Sequence, residues 1–328
     1  MSAVSHTIRV IESNGVPISP ARVSQPAGQP LRVALVQHSW NADAEELTAW
    51  LDAAVDAAAA ASAKIVFLPE ITLSRYPADT IPTGTASHNA EDLTTGPTVA
   101  FARSAAARSG MYVHTSLYRK ADEGDGLGLN TAIIVSPQGD IVAMTDKLHI
   151  PVTAGYYEDR YFRQGSADGE PYPVYELEGL DGARLGLPTC WDEWFPEVAR
   201  AYSLGGANVV VYPTAIGSEP DHPDFDTQPL WQQVIMGNGI ANGLFMVVPN
   251  RTGTETKPDG TPGNTFYGSS FISDPYGRIL AQAPRDEACV VVADLELAQR
   301  DEWLELFPFL STRRPDTYGA LTRPVADR

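Results

Sequence analysis

The sequence predicts an α/β fold in which two β-sheets stack face to face and helices cover them from outside. Three observations carry this expectation. Strand-like and helix-like segments alternate along the 328 residues. Several strands, among them KIVFLPE and NVVVYP, are short continuous apolar runs suited to sheets covered on both faces. Hairpins recur between them, which a purely parallel, doubly wound sheet would not need.

The elements follow in order. Residues 1 to about 30 are rich in Ser, Pro and Gly, with one short apolar stretch at Ile8, Val10 and Ile11, and read as an N-terminal extension laid on a surface or a partner subunit. Residues 31–328 read as one domain with a C-terminal tail. LRVALVQ is a strand, and the polar segment Asn41 to Asp43 then opens a helix. In that helix Leu47, Trp50, Leu51, Ala54, Val55 and Ala58 recur at the helical period and form one apolar stripe. KIVFLPE is a strand halted by Pro69, which leaves Glu70 at its C-terminal end.

A helix near Thr98 to Ser109 and a strand near Met111 to Tyr118 lead to a hairpin, TAIIV and IVAMT around the turn SPQGD; Lys147 follows its second strand. A strand from about Val174 to Leu177 precedes RLGLPTC, and a helix from about Pro196 to Leu204 opens on proline, so Cys190 lies between a strand and a helix. NVVVYP, a helix near Leu230 to Asn242, LFMVVPN, the hairpin GSSFISDPYGRILAQ and ACVVVADL complete the pattern.

The formal charge of -18 argues against nucleic acid as a partner, because nucleic-acid affinity rests on clustered Lys and Arg; it mildly favours a cationic substrate. No apolar run approaches the roughly 18 residues of a membrane span. The two cysteines, Cys190 and Cys289, form no disulfide framework or CxxC pair, and the six histidines show no metal-ligand spacing, so neither a metal nor any other cofactor is expected. Reduced thiols and an N-terminus without a secretory layout make the cytoplasm the expected location.

A cysteine is a useful nucleophile only as thiolate, and Cys190 stands just before a helix whose free N–H groups favour negative charge. A buried, inert strand-end thiol is the alternative from local context alone. Three segments, FLPE with Glu70, DKLHIP with Lys147 and LPTCWDEWFPE with Cys190, together resemble the signature segments of the nitrilase-like carbon-nitrogen hydrolases. GYYEDRYFRQG, VVVYPTAIGSEP, VVPNRTG, TFYGSSFISDPYG and RRPDTYGAL extend the likeness over about residues 31 to 320, and CWDEWFPE with YPTAIGSEP resembles the N-carbamoylputrescine amidase branch.

The resemblance implies a four-layer α-β-β-α sandwich. It implies Glu70 as general base, Lys147 as the cation at the oxyanion, Cys190 as nucleophile and Glu158 as a second acid behind the lysine. These roles agree with what acyl transfer needs: a proton acceptor for the thiol and a cation for the tetrahedral intermediate. The main-chain N–H of Trp191 is the expected oxyanion donor. Trp194, Tyr76, His149 and Asn250 are candidates to line a substrate pocket, with core packing or loop support as their alternatives.

Arg75 departs from the pattern of that branch, and turned inward it would favour a carboxylate on the substrate. The reaction that the resemblance implies is hydrolysis of an N-carbamoyl amine through a covalent Cys190 intermediate. The alternatives are an N-carbamoyl amino acid such as β-ureidopropionate, an aliphatic amide, a nitrile, or a catalytically silent binding protein of the same fold. A small-molecule partner and a homodimer or larger homo-oligomer are also implied.

Overall fold

In the computed structural model, residues 6–25, 28–121 and 123–325 are described. Two mixed sheets form its centre. The first runs, in spatial order, Val10–Glu12, Cys289–Leu295, Leu31–Gln37, Ile65–Phe67, Tyr112–Arg119, Leu129–Val135 and Ile141–Asp146. The second runs Ile279–Gln282, Phe271–Ser273, Phe245–Val248, Val209–Val211, Arg184–Gly186 and Val174–Glu176.

The two-residue period of a strand explains the layering. Val33 and Leu35 of one strand face inward with Phe67, Val291, Leu185, Val209 and Val247, building the core between the sheets. Their neighbours Ala34 and Val36 face outward with Val66 and Val290, against helices Ala44–Ala60 and Pro97–Ser109. On the other side Val210, Met246 and Val248 pack against Val198, Tyr202, Trp231 and Ile235 of helices Pro196–Leu204 and Gln228–Asn242. Helix, sheet, sheet and helix thus make four layers. Both faces of each sheet are dry, so truncation of an inner residue such as Phe67 would cost about 3–5 kcal/mol.

Local signals set the helix ends. The Asp43 carboxylate accepts from the main-chain N–H groups of Glu45 and Glu46, capping the first helix. Gly110, at φ 71°, closes helix Pro97–Ser109 in a left-handed conformation that favours glycine.

The parallel strands Ile65–Phe67, Val209–Val211 and Phe245–Val248 release their C-terminal ends into loops that carry Glu70, Thr214 and Asn250. Strand Arg184–Gly186, parallel to Val209–Val211, delivers the chain to Cys190. Open α/β sheets bind ligands at such ends.

Three elements lie outside the sequence expectation. Val10–Glu12 pairs in parallel with Cys289–Leu295, so the N-terminal segment supplies an edge strand. Thr252–Thr256 and Pro262–Tyr267 form a separate hairpin, and Ala298–Leu306 is a helix.

Candidate active site

Glu70 follows strand Ile65–Phe67 and Pro69, where the chain leaves the sheet. The next residues are tied back at once: Ile71 N–H donates to Ser116 Oγ at 3.1 Å and Thr72 N–H to the Ser116 carbonyl at 2.9 Å. Arg251 clamps the same turn from the far side, donating through Nε at 3.1 Å and Nη2 at 2.9 Å to the Glu70 carbonyl and through Nη2 to the carbonyls of Ile71 and Ser74. A left-handed Ile71, at φ 47°, is thereby held in place.

The Glu70 carboxylate is wholly buried. Its Oε1 accepts from Asn130 Nδ2 at 2.7 Å and from Lys147 Nζ at 2.8 Å, whereas Oε2 has no hydrogen-bond partner. One oxygen anchors the group and the other is left free to take a proton. Lys147 leaves the hairpin strand Ile141–Asp146, and its main-chain N–H donates to the Asn130 carbonyl at 2.9 Å. Its ammonium also lies 2.6 Å from Glu158 Oε2, and Tyr76 OH donates to Glu158 Oε1 at 2.8 Å.

Cys190 begins the short 3-10 helix Cys190–Trp194. Thr189 caps it, and Asp192 Oδ2 accepts from the Thr189 N–H at 3.0 Å. The Cys190 N–H donates to the Pro213 carbonyl at 3.0 Å, and its φ of 43° places a non-glycine residue in the left-handed region at a cost of order 1–3 kcal/mol. Such a turn projects the side chain away from the sheet end. The Trp191 N–H, second in the helix, has no acceptor within it and is available as a donor.

The electrostatics fit a thiol that rests protonated. Burial raises the Cys190 pKa well above its ordinary value, and Glu70 adds to this while Lys147 opposes it. Attack by such a thiol would need a base to take its proton. Burial opposes the charge on Lys147, but Glu158 and Glu70 outweigh it and hold the ammonium protonated. Burial pushes the Glu158 carboxyl upward, against Lys147. Glu193, one turn after Cys190 and fully buried, is pushed well up by burial.

A family model described as carbon-nitrogen hydrolase matches residues 32–305. The chain belongs to the carbon-nitrogen hydrolase family. This hydrolase of C–N bonds is 34% identical over 294 residues to a citrullinase of Francisella tularensis, covering 89% of this chain and 98% of that protein. It is 34% identical over 236 residues to an N-carbamoylputrescine amidase of Solanum lycopersicum, covering 71% and 76% respectively. The crystal structure of a carbon-nitrogen hydrolase from Helicobacter pylori superposes with a TM-score of 0.80 at 29% identity, covering 90% of this chain and 99% of that one. The likeness to the N-carbamoylputrescine amidase branch of the nitrilase superfamily holds over most of the chain.

In this carbon-nitrogen hydrolase Glu70, Lys147 and Glu158 form one hydrogen-bonded chain, and Cys190 lies within their electrostatic reach. Trp191 and Trp194 stand 6.3 Å apart beside it, and Trp194 packs on the outer core. Tyr76 is buried with its hydroxyl spent on Glu158, so it supports the lysine rather than facing solvent.

Three sequence expectations need correction. Asn250 does not line a pocket: Oδ1 accepts from the N–H groups of Ile216 and Arg251, and Nδ2 donates to the carbonyls of Ile216 and Gly268. The His149 Nδ1 is 2.7 Å from Asp192 Oδ1 and its ring stacks on Phe195 at 3.8 Å, so it braces the lysine loop against the cysteine turn. Arg75 faces Asp79 and the Thr256 carbonyl and offers no fork to a substrate.

Asn130, Arg251 and Glu255 carry more of the site than sequence reasoning gave them. Glu255 pairs with Arg251 and accepts from the Tyr76 N–H at 2.8 Å, which binds the hairpin Thr252–Tyr267 to the Glu70 loop. Their only sequence signal is a charged or amide residue beside a strand end. Among the described residues, no three or more His, Cys, Asp or Glu side chains are grouped to hold a metal, and no helix is long and apolar enough to cross a membrane.

Proposed function

We propose that Cys190 is the nucleophile in hydrolysis of an N-carbamoyl amine. The observation that carries this reading is the sealed chain Tyr76, Glu158, Lys147, Glu70, with the unpartnered Oε2 of Glu70 left to act as base. Glu70 takes the thiol proton as sulfur attacks the ureido carbon, and the oxyanion lies between the Lys147 ammonium and the Trp191 N–H. The proton passes to the departing nitrogen. Glu70 then takes a proton from water, which attacks the thioester-type carbamoyl enzyme. The sulfur leaves and regains its proton, and the carbamic acid released splits without further water, so the products are amine, carbon dioxide and ammonia.

Two observations favour an amine-bearing substrate over a carboxylate-bearing one. Arg75 and Arg251 are both consumed by internal partners. The partly buried Glu219 acts on the hydroxyl of Tyr156, which is itself within electrostatic reach of Cys190, and so adds a carboxylate to that side of the molecule. The likeness to a citrullinase over nearly its whole length supports a second reading, in which the ureido group belongs to an amino acid.

Ammonia and carbon dioxide release from N-carbamoylputrescine, L-citrulline, 3-ureidopropionate, a simple aliphatic amide and a nitrile tests the choice. The expected result is the highest kcat/KM on N-carbamoylputrescine; preference for citrulline or 3-ureidopropionate supports the amino-acid reading, and ammonia release only from the amide or nitrile rejects both. Absence of turnover on all, with no alkylation of Cys190 by iodoacetamide, would mark a silent binding protein. We further propose a cytoplasmic homodimer or larger homo-oligomer, which light scattering checks.

A further inference from the structure

A cavity of about 380 Å³ lies between the start of helix Ala44–Ala60 and the hairpin Thr252–Tyr267. Its walls include His38, Trp40, Glu46, Trp50 and Glu255, and it contains none of Glu70, Lys147, Glu158 or Cys190. The volume is within the range of small-ligand sites.

The chemistry of the lining selects the ligand. Two indoles, Trp40 and Trp50, line it, Trp50 stacked with the His38 ring at 6.4 Å between centroids, and aromatic rings attract organic cations. No lysine or arginine lines the cavity among the described residues, whereas Glu46 brings an exposed carboxylate and the whole chain is strongly acidic. His38 adds an acceptor: Nε2 faces the Thr72 carbonyl at 3.1 Å and so carries the proton, and the buried Nδ1 is left as a lone pair with no partner. Burial keeps this ring neutral. An alkyl body with an ammonium head matches all three features.

The same walls hold the loop that carries Glu70. His38 binds the Thr72 carbonyl, Trp40 Nε1 donates to the Leu73 carbonyl at 3.2 Å, and Glu255 accepts from the Tyr76 N–H. Through Tyr76 this layer reaches Glu158 and Lys147. We propose that the cavity bounded by Trp40, Trp50, Glu46 and His38 is an effector site for a small alkylammonium ion, coupled to the catalytic centre through the residue 72–76 loop. A ligand there alters how firmly the loop is held, so it acts on kcat and leaves KM unchanged.

The site does not depend on the substrate reading, and its test can be run without turnover. Tryptophan fluorescence is titrated with n-butylammonium and with 1-butanol, on native protein and on protein whose Cys190 has been blocked with iodoacetamide. Saturable change is expected with the ammonium in both forms and not with the alcohol. Glu46→Lys, at an exposed position, is expected to weaken the response about tenfold or more, and Trp50→Phe to weaken it less. In turnover assays the ammonium should change kcat at constant KM in native enzyme and not in Glu46→Lys. An equal response in Glu46→Lys, an equal response to butanol, loss of binding on blocking Cys190, or an effect confined to KM would overturn the proposal.

Discussion

Nζ of Lys147 lies 2.8 Å from Oε1 of Glu70, and both side chains are closed off from solvent. The pair gains nothing from water and depends on its own geometry. With Glu158 on the other side, a single cation serves two carboxylates.

Lys147→Met should therefore damage more than catalysis. It leaves Glu70 and Glu158 buried without their cation, a loss of about 3–5 kcal/mol when one partner of a buried pair is removed. Urea unfolding should record that loss, and kcat should fall by a hundredfold or more. An unfolding midpoint equal to that of the native protein would contradict the described pairing.

Cys190→Ala should abolish turnover, by about a thousandfold or more, with the fold retained. The left-handed backbone at this position is unfavourable for alanine as for cysteine, so stability should change by about 1 kcal/mol or less. Turnover measured beside thermal unfolding separates the two effects.

Tyr76→Phe removes one charge-assisted hydrogen bond to Glu158, worth about 1.5–3 kcal/mol. That bond favours the ionised carboxylate, so its loss raises the Glu158 pKa further. The acid limb of the kcat profile should then move to higher pH, with KM little changed; a limb that stays in place would argue against Glu158 in this role.

His38 and His114 are buried, and burial lowers each from about 6.5 to about 3. Both folded pKa values lie below the unfolded ones, so the unfolded chain binds more protons between these limits. Their stabilising share is complete above about pH 6.5 and is lost as pH falls toward 3. Chemical denaturation between pH 7 and 4 should show a stability loss of several kcal/mol, to which His38→Gln and His114→Gln contribute measurably less.

Asn250→Ala should act on folding and not on substrate binding. It removes a side-chain partner from four main-chain groups, of which the Ile216 carbonyl keeps the Tyr267 N–H, so a drop of about 2–4 kcal/mol is expected with KM unaltered. A large rise in KM at native stability would restore it as a pocket residue.

Much of this was readable in the residues themselves. Glu70, Lys147 and Cys190 each stand where an apolar strand stops abruptly, at Pro69, after a hairpin and before a helix, and such stops mark the rim of a sheet. The four layers follow from strands apolar at both alternate positions, as in Val33 to Val36. Other features depend on distant partners that local pattern does not reveal. Arg75 is neutralised by Asp79 and by a hairpin carbonyl, Thr256; the run Pro258-Asp259-Gly260 signals the turn but not which side chain the hairpin will meet. Asn250 is the same residue type whether it faces a ligand or ties a loop, and helix Ala298–Leu306 has only Gln299 and Arg300 buried, so it lacks an apolar stripe.

The three-residue strand Val10–Glu12 lies upstream of residue 32, where the family likeness begins, yet it hydrogen-bonds to Cys289–Leu295 at one edge of the first sheet. A chain trimmed to the homologous region would bare that ladder of N–H and C=O groups. Unprotected ladders recruit strands from other molecules. The opening residues thus cover three residues of strand Cys289–Leu295, and their removal should show first as aggregation on refolding, before any change in chemistry.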